Sequence, residues 1–281
     1  MNLVAWSKGK GPTIVFLHSS GGSSSHFAFL FKRLSIKGYR IIAYDMRGHG
    51  RSSKSLHFTA QELASDLKCV LSYFLCEDAN IVGYGLGGYV AQSLFIHYPK
   101  FASEKVARLI LLSSFVYSPC TWVERLFLAS VSSGLLHALC QSRTLSQMVG
   151  RHFFGFTANK TMLEEWRRSI LNTPPQVWKI CASAAKNDLR AHKEMMPYVP
   201  TIILCGDQDI FYRRSQKMHF AHLKGCAERI WLDRMGHMTP WEAPDRLTSI
   251  LCQYIPSKLI AQPLKGNRDQ MPRKSKATLL G

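Results

Sequence analysis

Short apolar runs alternate with stretches of helical periodicity along most of the chain. The runs are rich in β-branched residues and apolar throughout, which is typical of strands buried on both faces of a sheet. Strands joined by helices predict a mostly parallel α/β sheet with helices packed on both sides. The predicted strands are residues 3–6, at the sheet edge, 13–17, 40–44, a run beginning at 79, 105–112, 201–205 and 228–232.

Helical periodicity fills several of the segments between these strands. Thr59 and Glu62 have the spacing of a capping box, in which each side chain accepts a hydrogen bond from the backbone N–H of the other residue. The predicted helices are residues 27–34, 59–74, a helix from a glycine-rich turn to about 97, 212–223, and a last helix ending near 254.

The alternation of strands and helices stops after the fifth strand and resumes at residue 201. The intervening segment is helical and apolar, which predicts a cap over the carboxyl edge of the sheet, where α/β proteins bind ligands. Aromatic residues of this cap, including Trp122 and Phe127, are expected to line a ligand pocket. The predicted domains are a core of residues 1–114 and 187–256, a helical cap of 115–186 and a basic, disordered tail of 257–281.

Composition narrows the class of protein. The chain has 281 residues, 46% of them hydrophobic, which is enough for a substantial core. No apolar run reaches the ~18 residues of a membrane span, and the N-terminus carries no signal or transit pattern, which favours a cytoplasmic protein. The eight cysteines form no C-x-x-C pair and are expected to be reduced core thiols. The net charge of +18 is compatible with an anionic surface as a partner, but no specific nucleic-acid motif accompanies it.

The fourth predicted strand runs into a glycine-dense turn from which a helical pattern leaves. The turn, Gly83-Tyr84-Gly85-Leu86-Gly87, has the spacing of a nucleophile elbow, Gly-x-nucleophile-x-Gly. Flanking glycines let the strand and the helix approach each other, and the central residue takes a strained backbone conformation. The central residue here is Gly85, so the hydroxyl that would attack a substrate is missing.

The same turn allows a nucleotide-binding interpretation. Gly83-x-Gly85-x-x-Gly88 fits the dinucleotide fingerprint G-x-G-x-x-G between a strand and a helix. That fingerprint expects a carboxylate about 20 residues further on, at the end of the next strand. The next strand ends instead in Ser113-Ser114. The nucleophile elbow is therefore the preferred interpretation.

Other strand ends carry polar residues. The second strand leads into a small-residue loop containing Ser19 and Ser20, whose backbone N–H groups could form an oxyanion hole. Asp209 follows the sixth predicted strand, and His237 follows the seventh. The carboxyl ends of parallel strands meet at one edge, so these residues are expected to lie together. His49, in a tight loop of charges and glycines, is expected to brace that loop.

Two further signatures complete a resemblance to capped α/β-hydrolases of the esterase, lactonase and cofactor-free haloperoxidase kind, covering about residues 3–255. These signatures are Asp45-x-Arg47-Gly48-x-Gly50-x-Ser52, and Gly236-His237 followed by Trp241-Glu242-Ala243-Pro244. The resemblance implies the α/β-hydrolase fold, with the helical cap inserted after the strand that is sixth in the family.

The resemblance also implies roles for individual residues. Asp209 would be the acid and His237 the base of a catalytic triad, in the chain order that this fold requires. Gly85 would occupy the nucleophile position without its serine, and Ser19 stands where the family usually has glycine. The implied oxyanion donors are the backbone N–H groups of Ser20 and Leu86. The expected pocket residues are Ser19, Tyr84, Trp122, Phe127 and Met238, and no metal or cofactor is expected.

Three functions follow from these residues. The first is a serine-hydrolase scaffold for a small apolar ester, lactone or lipid-like ligand, inactive or impaired because the serine is absent. The second is a pseudo-hydrolase that binds an apolar ligand or a partner protein. In the third, His237 and Asp209 act as a general base without a covalent step. Displaced nucleophiles compatible with an active enzyme are Ser113, Ser114 and Cys205.

Overall fold

The computed structural model describes residues 2–55, 57–114, 122–184, 199–210 and 227–257, and within these ranges seven strands form one sheet. The strands are β1 Ala5–Lys8, β2 Thr13–Leu17, β3 Arg40–Tyr44, β4 Ala79–Tyr84, β5 Val106–Leu112, β6 Thr201–Gly206 and β7 Ala227–Leu232. Their order across the sheet is β1-β3-β2-β4-β5-β6-β7. β1 is antiparallel to β3 and all other neighbours are parallel, which confirms the predicted fold class.

Helices connect these strands and cover the sheet. In the described ranges they are α1 Ala28–Ile36, α2 Ala60–Tyr73, α3 Leu86–His97, α4 Pro99–Lys105, α5 Trp122–Ser133, α6 Leu135–Gln141, α7 Arg143–Gly150, α8 Lys160–Leu171, α9 Pro175–Ala184, α10 Thr239–Glu242 and α11 Pro244–Tyr254. A short 3-10 helix, Ser24–Phe27, precedes α1. None of the helices in the described ranges is long and apolar enough to cross a membrane.

The core has one apolar layer on each face of the sheet. Along β2, Val15 and Leu17 pack into the layer that contains α2 and α3, whereas Ile14 and Phe16 pack into the layer that contains α1 and α11. Successive residues of a strand point to opposite faces, so a strand covered on both sides is apolar at most positions. This is the physical reason for the continuous apolar runs in the sequence.

The predicted strand bounds agree with the structure to within two residues. The largest difference is at β1, which was expected at residues 3–6 and forms at Ala5–Lys8. Its bounds are set by pairing with β3, from Ala5 opposite Tyr44 to Lys8 opposite Ile41. The capping box is confirmed, since Thr59 Oγ1 accepts from the Glu62 N–H and Glu62 Oε2 accepts from the Thr59 N–H. The predicted helix at 212–223 and most of the predicted tail lie outside the described residues.

Candidate active site

The turn between β4 and α3 consists of a single residue, Gly85. Its backbone angles are φ +53° and ψ −115°, a conformation that is open to glycine and strained for other residues. Close packing explains the flanking glycines. An added Cβ would lie 2.5 Å from the Cα of Gly88 at position 83 and 2.3 Å from the carbonyl oxygen of Leu17 at position 87. The segment thus has the geometry of a nucleophile elbow.

Two residues expected from sequence to act together, Asp209 and His237, are hydrogen-bonded. His237 Nδ1 lies 2.9 Å from Asp209 Oδ2. Asp209 is fully buried after β6, and His237 is buried after β7, where its backbone N–H donates to the carbonyl of Phe153. Donation from Nδ1–H to the carboxylate leaves the lone pair on Nε2, which is the arrangement of an oriented general base.

The side chains around this imidazole hold it in place. The ring of Tyr84, the residue before the elbow glycine, is centred 5.4 Å from the ring of His237. The Tyr84 hydroxyl lies 3.0 Å from the sulfur of Met238 and donates to it. Both Tyr84 and Met238 were expected pocket residues, and both line the same cavity as Gly85 and His237.

The residues expected to supply oxyanion donors also line this cavity. Leu86 is the first residue of α3, so its backbone N–H belongs to a helix end where no intrahelical acceptor exists. Ser20 lies in the turn after β2, which is closed by donation from the Gly22 N–H to the Ser19 carbonyl. Two backbone N–H donors near the elbow could stabilise negative charge on a carbonyl oxygen.

Ser19 occupies the space that a side chain at position 85 would need. Its Oγ lies 2.1 Å from the point where a Cβ on Gly85 would stand, and its own Cβ lies 2.9 Å from that point. Real Cβ atoms do not make contacts this short. Ser19 thus places a hydroxyl beside the elbow while position 85 has none.

The cavity next to the elbow is apolar on the side of the helices between β5 and β6. Its volume of about 60 Å³ admits only a few water-sized groups. Helices of this insertion supply most of the apolar wall, through Phe127, Val131, Leu136, Trp166, Ile170 and Trp178. The described helices of the insertion therefore cover this side of the site.

Trp122 is not part of this wall, contrary to expectation. It is 72% exposed and does not line the cavity, whereas Phe127 of the same helix does. Five residues of α-helix rotate a side chain by roughly 140° relative to the first, so the two rings lie on different faces of α5. Aromatic content identified the correct helix but not its inner face.

Three further buried histidines, His18, His26 and His49, lie close together near the site, and the sequence pointed to a role for only His49. His49 is buried, with Nδ1 3.0 Å from the carbonyl of Arg47 and Nε2 3.8 Å from the thiol of Cys181. Burial, together with the neighbouring His18, lowers the pKa of His49 to about 3. His49 therefore stays uncharged and braces its loop, as predicted.

His18 and His26 are the other two members of this group. His18 Nδ1 donates to the Ser19 carbonyl, and its Nε2 accepts from the Met46 N–H. Burial lowers the pKa of both His18 and His26 to about 4. The spacing of His18, His26 and His49 in the sequence does not indicate that they cluster. They come together only when β2, the loop that follows it and the loop after β3 are assembled.

Glu242 ties the histidine loop to the insertion. One or both of its carboxylate oxygens accept from the backbone N–H of Gly236, and Oε2 also accepts from the Gly155 N–H and the Thr157 hydroxyl. Burial raises the pKa of Glu242 against the opposing effect of these donors. The sequence showed Glu242 only as part of a family signature, without a role.

The alternative nucleophiles do not line the cavity. The Ser114 hydroxyl donates to the Gly85 carbonyl at 3.0 Å, and Cys205 Sγ lies 3.2 Å from the Gly206 carbonyl. Ser113 is fully buried, and none of the three lines the cavity. Within the described ranges, no group of three or more His, Cys, Asp or Glu residues is placed to hold a metal ion.

The fold and this arrangement are those of an α/β-hydrolase. A sequence profile described as the alpha/beta hydrolase family matches residues 14–250, and the chain belongs to that family. The dinucleotide interpretation of Gly83 to Gly88 is therefore set aside.

Known proteins that are similar to this chain in sequence or in structure include lactonases and an esterase. The chain is 26% identical to 3-oxoadipate enol-lactonase 1 of Acinetobacter baylyi over 252 residues, covering 88% of this chain and 89% of that protein. An esterase from Exiguobacterium antarcticum superposes with a TM-score of 0.77 at 19% identity, covering 90% and 95% of the two chains. The enol-lactonase from Burkholderia xenovorans superposes with a TM-score of 0.74 at 23% identity, covering 90% of this chain and 95% of that chain.

Proposed function

We propose that this protein binds a small, largely apolar ester or lactone at an α/β-hydrolase site and cannot form an acyl-serine at position 85. The observation that carries the proposal is the buried Asp209–His237 pair beside an elbow whose central residue is Gly85. An oriented base is present, but the hydroxyl that it would deprotonate is absent from the elbow.

The proposed ligand class rests on the cavity and on the relatives. The cavity wall is mainly apolar, and its small volume suits a short acyl chain or a small ring. Relatives over most of the chain include an enol-lactonase, and solved structures of the same fold include an esterase. Oxyanion donors at Ser20 and Leu86 would bind a carbonyl oxygen in such a ligand.

The loss of covalent catalysis has an expected size. Removing a triad nucleophile lowers kcat by about 10⁶, and the residual rate comes from the oxyanion hole and substrate binding. We expect wild-type protein to bind ester analogues and to hydrolyse aryl acetates at most about 10³–10⁴-fold faster than the uncatalysed reaction.

The test is to move the hydroxyl from position 19 to position 85. We expect the Ser19→Gly/Gly85→Ser double variant to react with a fluorophosphonate probe at residue 85 and to hydrolyse p-nitrophenyl acetate. Gly85→Ser alone should react less, because Ser19 occupies the space of the new side chain. Adding His237→Ala to the double variant should abolish labelling.

Two outcomes would contradict the proposal. One is a folded double variant that neither reacts with the probe nor hydrolyses the ester. The other is stoichiometric labelling of wild-type protein at Ser19, which would make Ser19 a working nucleophile. Circular dichroism and thermal unfolding of each variant separate loss of fold from loss of chemistry.

A second candidate function is hydrolysis by a water molecule that His237 activates. The intact hydrogen bond from His237 to Asp209 favours it, since that bond orients the base regardless of what it deprotonates. Wild-type turnover of a lactone that disappears in His237→Ala, with no acyl-enzyme detected by mass spectrometry, would support this mechanism over simple binding.

A further inference from the structure

His26 is a buried imidazole that lacks hydrogen-bond partners. It is 4% exposed, and neither Nδ1 nor Nε2 has a partner among the described residues. The neighbouring His18 differs, because both of its ring nitrogens are bonded to backbone groups. Buried polar atoms are almost always paired, so a ring that lines a cavity and has no partner among the described residues is a candidate to pair with a ligand.

The ring of His26 lies at the elbow cavity. It lines that cavity together with Gly85 and His237, and its ring is centred 6.2 Å from the ring of Tyr84. Trp241 packs against His26 edge to face, with centroids 4.9 Å apart. These ring contacts position the imidazole, and neither of its nitrogens is paired by a described residue.

Gly22 packs against the edge of the ring that carries both nitrogens. A Cβ added at Gly22 would lie 2.3 Å from His26 Cε1 and 2.6 Å from Nδ1, which is too close for a real side chain. Glycine at position 22 therefore lets the loop approach the ring, and a ligand would reach the nitrogens from the cavity that His26 lines.

His26 also borders a second, more polar space. Together with Ser169 it lines a cleft of about 440 Å³ whose wall includes Glu165, Arg168 and Asn172. His26 thus stands where the inner apolar cavity meets an outer polar cleft. A ligand reaching from one to the other would pass the ring of His26.

We propose that His26 binds a hydroxyl group of the ligand, so that the site selects short hydroxy esters or hydroxylactones over their unsubstituted counterparts. This inference rests on the proposed function. A neutral imidazole has one N–H donor and one acceptor nitrogen, and a hydroxyl group can pair with either or both. A carboxylate could pair only with the N–H, and the uncharged ring would not neutralise its buried charge.

The state of the ring supports this ligand class. Burial lowers the pKa of His26 to about 4, so the ring is uncharged at neutral pH. The apolar wall on the other side of the cavity, including Phe127 and Ile170, suits the hydrocarbon part of the ligand. The hydroxyl then lies towards the polar cleft and the acyl group towards the insertion helices.

The test compares two probes that differ by one hydroxyl, methyl 3-hydroxybutyrate and methyl butyrate. Binding of each to the full chain is measured by ligand-observed NMR titration. We expect wild-type protein to bind the hydroxy ester roughly three- to tenfold more tightly, as one added hydrogen bond gives. His26→Phe, of similar volume, should bind both esters equally, whereas His26→Gln, which keeps a donor and an acceptor, should retain part of the preference.

His57→Phe, at an exposed histidine, is the matched control and should keep the wild-type preference. Equal binding of the two esters by wild-type protein would overturn this inference alone. A preference that persists in His26→Phe would also overturn it. Binding of neither ester would overturn the proposed function and this inference with it. If His26→Phe fails to fold, the His26→Gln ratio decides: a reduced preference supports the proposal, and an unchanged ratio overturns it.

Discussion

The Oγ of Ser19 lies 2.1 Å from the position that a Cβ on Gly85 would occupy. Two loops that are 66 residues apart in sequence therefore share one small volume beside the base His237. Either position can carry a side chain in this backbone, but both cannot do so without movement. The residues at 19 and 85 are coupled, and substitution at one changes what the other tolerates.

The first prediction concerns the stability of this pair. Gly85→Ala should lower the free energy of unfolding by about 1–3 kcal/mol for the strained φ alone, and further for the contact with Ser19. A rotation of the Ser19 hydroxyl does not remove the conflict, because its Cβ is also within 2.9 Å. Urea unfolding of Gly85→Ala measures the combined loss of stability from the backbone strain and from the contact with Ser19.

The control for this prediction is a double-mutant cycle. In the Gly85→Ala background, Ser19→Gly should raise the free energy of unfolding by roughly 0.5–3 kcal/mol relative to its effect in wild-type protein. The backbone strain at position 85 remains in both backgrounds and cancels. Additive effects of the two substitutions would show that Ser19 does not restrict position 85.

The second prediction is a loss of stability in mild acid. Burial lowers the pKa of His18 and His26 to about 4 and that of His49 to about 3, from 6.5 when unfolded. The unfolded chain therefore binds more protons below pH 6.5, so stability is complete above that pH and falls as the pH drops towards 4. Each ring contributes a slope of up to about 1.4 kcal/mol per pH unit. Thermal unfolding between pH 8 and pH 5 measures the effect.

A variant identifies the histidines as the cause. His26→Phe should reduce the slope between pH 6.5 and pH 5 by one ring's share, with His57→Phe as the exposed control. Burial alone would raise the pKa of Asp45, but donation from the backbone N–H groups of Arg51 and Ser24 outweighs burial and holds that pKa below its usual value. Asp45 therefore contributes a loss of folding stability only at lower pH. A melting temperature that is constant from pH 7 to pH 5 would refute this account.

The third prediction concerns the carboxylate of Glu242. Glu242→Gln replaces one acceptor oxygen by an amide that cannot accept from the Gly236, Gly155 or Thr157 donors. A buried donor left unpaired costs about 1–3 kcal/mol, and this much stability should be lost. Differential scanning calorimetry measures it, with Glu228→Gln at an exposed position as control. Equal stability of Glu242→Gln and wild-type protein would argue against the contacts described.

The fourth prediction concerns the Arg47 guanidinium. Its Nε and Nη2 each donate to Asp66 at 2.7 Å, and its Nη1 donates to Glu62 at 2.8 Å. Lysine carries the charge but cannot form this planar fork, so Arg47→Lys should destabilise the fold by about 1–3 kcal/mol.

The control for the fourth prediction is a half-buried arginine whose partner is exposed. Arg33 pairs with Asp245, whose side chain is 83% exposed, and such pairs contribute little. Arg33→Lys should therefore change stability by less than about 0.5 kcal/mol. Urea midpoints of the two variants provide the comparison, and equal midpoints would show that the buried fork is not needed.

The sheet could be predicted because strands buried on both faces are apolar at most positions. Thr13–Leu17 and Arg40–Tyr44 were therefore predicted with their observed bounds. The elbow followed from the spacing of three glycines, because only small residues permit that close packing. The partnership of Asp209 and His237 followed from two loops that end neighbouring parallel strands.

Other features depend on contacts between distant segments and could not be predicted. Nothing near Ser19 in the sequence indicates that its hydroxyl would fill the space at Gly85. Trp122 was placed in the pocket because of its residue type, whereas its orientation depends on how α5 packs. The burial of His26 could not be predicted, because a lone histidine in a serine-rich loop has no sequence feature that distinguishes it from an exposed residue.

The bonds of Glu242 also join two segments that are distant in the chain. They connect Gly155 and Thr157 of the insertion to Gly236, next to His237. A substitution that breaks these bonds would therefore loosen both the loop that carries the imidazole and the insertion that covers it.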